Sequence, residues 1–133
     1  MCVLRFVSES RSFKGMDVLE GLSACRLYEK GEIRRTKTGE VWQGNGLRFD
    51  VSNAEWDDLR LQTQDAIDFL KVHHAALSEL LQSDVDASLD FPVWSRISDE
   101  IVNQNASLPR ELITLAGGLG IGIDISIYRR DDL

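Results

Sequence analysis

Cysteine is scarce in this chain of 133 residues, which has only Cys2 and Cys25. Two thiols set in apolar stretches do not make a disulfide framework, so they read as reduced, buried side chains in a cytoplasmic protein. Histidine is equally scarce: His73 and His74 stand side by side on a helical stretch. Helical neighbours project about 100° apart, so this pair does not grip one ion. With no third imidazole or suitably spaced cysteine beside it, no metal site is expected. Apolar runs fall well short of the roughly 20 residues that span a bilayer. Arg5 breaks the first such run, so neither a membrane span nor a signal-peptide core is expected. No Gly-x-Ser-x-Gly frame or other nucleophile signature occurs, and no nucleotide motif, so neither a catalytic residue nor a cofactor is expected. Repeats, low-complexity tracts and linkers are lacking too, which leaves one domain over residues 1–133.

What is present is an ordinary globular composition, 43% hydrophobic and 28% charged. The net charge of −7 is unevenly spread. Residues 1–50 carry nine Lys and Arg against seven Asp and Glu, whereas residues 51–133 carry six against fifteen. That acidic part repels nucleic acid and suits a neutral or basic protein partner. A homodimer is also compatible with it.

Period-two alternation marks the strands. Cys2, Leu4 and Phe6 share one face opposite Arg5, and Leu47, Phe49 and Val51 alternate with Arg48 and Asp50. Val85, Ala87, Leu89, Phe91 and Val93 alternate with Asp86, Ser88 and Asp90. In the last strand Ile121, Ile123, Ile125 and Ile127 oppose Gly122, Asp124, Ser126 and Tyr128. Cys25 and Leu27 open a further strand, residues 33–42 make a hairpin around Thr38-Gly39, and Gly44-Asn45-Gly46 is a turn.

Helical spacing predicts a short helix from Met16 to Ala24 and a long one from Asn53 to Gln82. The long one has a capping-box start at Ser52 and Glu55 and an apolar stripe from Trp56 through Leu70 to Leu81. At 1.5 Å per residue it would run roughly 45 Å, which invites a bend or a break. A third helix begins near Pro109, buries Leu112, Ile113, Leu115 and Ala116, and stops at Gly117-Gly118. Ile97, Ile101 and Val102 are expected to anchor the irregular stretch between. This order predicts an α+β two-layer sandwich: a largely antiparallel sheet, one long and two short helices on one face, and the other face wet.

Several of these segments also resemble a known family. The early strand, Lys30-Gly31-Glu32, the run from Gly46 to Ser52 and above all Leu108–Ala116 with Leu119–Tyr128 are similar to a bacterial family, domain of unknown function number 4279. The resemblance covers most of the chain. It implies this fold and a bacterial origin, and it brings no activity with it.

Three motifs look chemical and read better as structure. Asp84, Asp86, Ser88 and Asp90 have the spacing of calcium ligands, but Leu89 and Ser95 stand where such a loop needs Gly and Glu. Gly117-Gly118-Leu119-Gly120 leads from helix to strand, the wrong polarity for holding a phosphate. Lys30, Arg34, Arg35 and Lys37 form a basic cluster diluted by Glu29, Glu32 and Glu40. The wet sheet face is left as the place for a function. Asp86, Asp90, Asp124 and Tyr128 lie on it with Trp94 at its rim, a surface for binding a protein partner in an immunity-like or accessory role. The alternative is a small-ligand binder or hydrolytic enzyme that pairs Asp86 or Asp90 with Asp124 as acid and base.

Overall fold

In the computed structural model, which describes residues 1–15 and 26–130, the first strand β1 (Cys2–Ser8) lies in the middle of the main sheet. The chain continues through β2 (Arg26–Tyr28), β3 (Ile33–Arg35), β4 (Glu40–Val41) and β5 (Asn45–Ser52). Then come helices α1 (Leu59–Val72) and α2 (His74–Leu80), strand β6 (Asp86–Trp94), helix α3 (Arg110–Leu119) and strand β7 (Gly122–Tyr128). The expected short helix at Met16–Ala24, and Cys25, lie outside the described residues.

The strand order is β2-β5-β1-β6-β7, with β3 and β4 forming a separate hairpin. Neighbours are antiparallel except β6 and β7. A parallel pair needs a crossover connection, and α3 supplies it. The fold is thus α+β with a largely antiparallel sheet.

Alternation along β1 sets what faces where. Cys2, Leu4 and Phe6 are fully buried, while Arg5 is half-buried and Val7 exposed. Leu4 stands opposite Phe49 on one side and Leu89 on the other. These side chains join Phe91, Ala66, Ile67 and Leu70 of α1, Leu77 and Leu80 of α2, and Leu112 and Ala116 of α3 in one core. Phe6 meets Phe49 edge-on at 6.2 Å, a favoured aromatic geometry. Burial raises the Cys2 thiol to about 12, with Asp90 adding to the effect; Cys2 therefore packs as an inert apolar residue.

β6 shows how the sheet tolerates a proline. Within β6, β1 pairs only with Asp86–Asp90, so the stretch that holds Pro92 runs past it and has no β1 ladder to break. Gln62 of α1, fully buried, donates to the Pro92 carbonyl at 2.9 Å.

Several expectations are corrected. The break that the length of the long helix invited falls at His73, where ψ turns to 15°, so that one long helix becomes two. An unbroken helix of some 45 Å would overrun a nine-residue strand of about 30 Å; the break brings Leu77 and Leu80 back onto the core. The helix starts at Leu59 rather than Asn53, because the Asp58 carboxylate caps it by accepting from the Leu61 N–H at 3.0 Å. Ser52 instead ends β5 and donates to Asp65 at 2.6 Å. Gly117 and Gly118 remain helical, and Gly120 (φ 77°) makes the left-handed cap one turn later, so that Leu119 is buried. Asn45 and Gly46 belong to β5 rather than to a turn. Ile97, Ile101, Val102, Ile113 and Ile127 are exposed rather than anchored. Ile127 lies near the end of β7, an edge strand paired on one side only.

Truncating Leu70 to Ala empties a fully buried position and is expected to cost about 2–5 kcal/mol in urea unfolding. Val72→Ala, at a residue 75% exposed, is expected to change stability by less than about 0.5 kcal/mol.

Candidate functional site

The face of the sheet opposite the core carries the side chains that β1 turns away from it. Register sorts them into rows. Arg26 of β2 stands opposite Arg48 of β5, Arg48 opposite Arg5 of β1, then Ser88 of β6 and Gly122 of β7 follow. In the adjacent row Asp50, Val3, Asp90 and Asp124 succeed one another across the same strands. Three arginines thus lie across three neighbouring strands, and like charges placed opposite one another are unfavourable. The neighbouring acidic row offsets this: Arg5 reaches Asp90 at 3.3 Å.

Asp90 departs most from the sequence expectation. It was expected to be wet, yet it is only 5% exposed. Its carboxylate accepts from the Ser126 hydroxyl at 2.5 Å as well as pairing with Arg5. A buried carboxylate needs such partners, and both come from neighbouring strands distant in sequence. Asp124 stands beside Asp90 in register, but the Asp90 oxygens are engaged with Arg5 and Ser126. Asp86 lies two rows away, opposite Val7. The acid–base pairing is therefore poorly served. Asp86 and Asp124 are both exposed.

At the β2 edge the arginine row opens into a hollow of about 260 Å³ lined by Arg5, Arg26, Tyr28, Arg34, Trp42 and Arg48. Tyr28 lies over Gly46, where an added Cβ would come within 1.9 Å of the ring; glycine there makes room for the aromatic. Tyr28 stacks on Trp42 with centroids 3.7 Å apart, and the guanidiniums of Arg26 and Arg34 lie 5.1 and 4.8 Å from the Trp42 centroid. Trp42 is thus the hub that joins the β3–β4 hairpin to the sheet.

At the far end, Trp94 and Tyr128 are register partners, and Trp56 packs against both at 4.6 Å. A hollow of about 410 Å³ lies beside them, lined in part by Arg96, Gln104 and Arg130. Gln104 ties it together: its amide donates to the Trp94 carbonyl at 2.9 Å and accepts from the Arg96 N–H at 2.7 Å. Trp94 and Tyr128 therefore share the open face with Asp86 and Asp124, while Asp90 sits beneath it. His73 is half-buried against Phe69 and His74 is exposed. Among the described residues no three His, Cys, Asp or Glu side chains come together as a ligand set for a metal ion. No helix among them is long and apolar enough to cross a membrane.

Sequence reasoning missed the Arg26–Arg48–Arg5 row and the role of Trp42. Each arginine alternates with apolar neighbours in its own strand, so each was legible as outward-facing. Their alignment depends on strand order, which no local pattern encodes. Trp56 was read into the helical stripe, whereas its carbonyl accepts from the Trp94 N–H at 3.2 Å ahead of the helix.

Residues 1–130 match the model of a family described as domain of unknown function DUF4279, and the chain belongs to that family. No curated protein and no solved structure gives a significant match.

Removing the Asp90 carboxylate strands Arg5 and Ser126. Asp90→Ala is expected to lower stability by about 1.5–3 kcal/mol in urea unfolding, the usual worth of hydrogen bonds to a charged group. Asp124→Ala, at an exposed position in the same row, is expected to cost less than about 0.5 kcal/mol.

Proposed function

We propose that this member of the DUF4279 family is a non-enzymatic binding domain that docks a protein partner on the open face of its sheet. The observation that carries this reading is the division of labour between the two faces. The core face gathers residues from α1, α2 and α3. The opposite face displays Asp86, Asp124, Trp94 and Tyr128 beside rows of fixed charge. Tyr128 is 44% exposed. An aromatic residue with one wet end beside acidic side chains suits a partner surface that is neutral or basic.

Asp90 supports such a face from below. Its pairing with Arg5 fixes the central strands' charges in place, so a partner meets a preorganised pattern. An immunity-like or accessory role in a bacterial cytoplasm agrees with the size, the net charge of −7 and the buried thiol of Cys2. The acid–base reading is set aside because Asp90 is already engaged.

The test reverses exposed charge and leaves Asp90 alone. Asp86→Lys with Asp124→Lys should keep its circular dichroism spectrum and lose at least about tenfold of the partner captured from native lysate, since surface charge sets association. Arg60→Glu on α1, an exposed helical position, should capture as wild type does. Undiminished capture by the folded double variant would remove the open face from the account.

A further inference from the structure

The arginine hollow at the β2 edge carries an inference that goes beyond protein docking. We propose that it is a binding site for the phosphoryl group of a small soluble phosphate compound. Its lining brings arginines from four strands to one hollow of about 260 Å³: Arg5 from β1, Arg26 from β2, Arg34 from β3 and Arg48 from β5. That volume is below the usual range for whole ligands and suits one group with a short stub of its carrier.

Three features select the chemistry. Guanidinium donors arriving from several strands match an acceptor with three peripheral oxygens better than a planar carboxylate, which offers two. The local carboxylates are already shared: Asp90 pairs with Arg5, and Glu40 divides itself between Arg34 at 3.7 Å and Arg35 at 3.6 Å. Arg26 has no carboxylate partner among the described residues and rests on Trp42. The Trp42 ring also holds Arg34, so two flexible cations are partly ordered before a ligand arrives, which reduces the entropy lost on binding.

Charge over the whole molecule decides the size of the ligand. A chain of net charge −7 repels an extended polyanion such as nucleic acid or an anionic membrane. A small anion responds instead to the field within a screening length of about 8 Å, and the hollow is lined by four arginines and no carboxylate among the described residues. The site is built on the basic edge of the open face, away from Asp86 and Asp124, so it stands or falls separately from the docking surface.

Titration calorimetry of the purified protein at low salt tests this, with inorganic phosphate, glycerol 3-phosphate and acetate as probes. Phosphate or its ester should bind with a dissociation constant of about 1 mM or tighter, weakening as salt rises. Tighter binding of glycerol 3-phosphate would identify a phosphate ester as the source, and tighter binding of phosphate the free ion. Arg26→Gln and Arg34→Gln, both at exposed positions, should each weaken binding about tenfold while the circular dichroism spectrum is kept. Lys37→Gln at the hairpin tip should bind as wild type does. Acetate binding as tightly as phosphate would overturn the assignment. So would no heat at about 20 mM of either phosphate probe, some twentyfold above that constant, or unchanged affinity in the Arg26 and Arg34 variants, which would mean an adventitious ion only.

Discussion

The period-two alternation of β1, held between β5 and β6, is the constraint on which the rest depends. A slip of one residue would exchange every side chain between the two faces. Cys2, Leu4 and Phe6 would leave the core, and Arg5 would enter it with its charge. Three fully buried side chains on one side and the Asp90 pairing of Arg5 on the other both specify the same register. Helices then cover the face that gathers most of the apolar side chains, and the other face carries mainly charge around the buried Val3.

On that second face the charges are arranged rather than merely solvated. Arginines gather toward β2 and, Asp50 of β5 aside, carboxylates toward β7, so the face is polarised across the strands. Asp90 lies at the boundary and is shared between Arg5 and Ser126. Burying a charge is unfavourable unless it is paired, and here the pairing joins β1, β6 and β7. Aromatic clusters stand at both ends: Tyr28 with Trp42 at the basic edge, and Trp56 with Trp94 and Tyr128 beyond the acidic row. Each stands beside a hollow, where the fold has already ordered the side chains.

Much of this was legible residue by residue and little of it pairwise. The alternation of Leu47, Phe49 and Val51 with Arg48 and Asp50 correctly assigned the faces of β5. The same pattern in β6 misassigned Asp90, because what buries it comes from Arg5 and Ser126, 85 and 36 positions away in sequence. Helical periodicity found the stripe through Ala66, Ile67, Leu70 and Leu77, and its length invited a break without placing it at His73, which answers to the length of the sheet. The Ser52–Glu55 spacing mimicked a capping box, while Asp58 makes the cap. Local rules thus reached faces and elements; strand order, which aligns Arg26, Arg48 and Arg5, lay beyond them.

The central claim is that one face carries stability and the other recognition. Amide and indole shifts in nuclear magnetic resonance spectra, recorded as inorganic phosphate is added, test it most directly. The account predicts perturbations grouped at Arg26, Arg48, Arg5 and Arg34 and at the Trp42 indole, with α1 and α3 unmoved. Shifts concentrated on those helices, or around Trp56 and Trp94 with Trp42 silent, would contradict it.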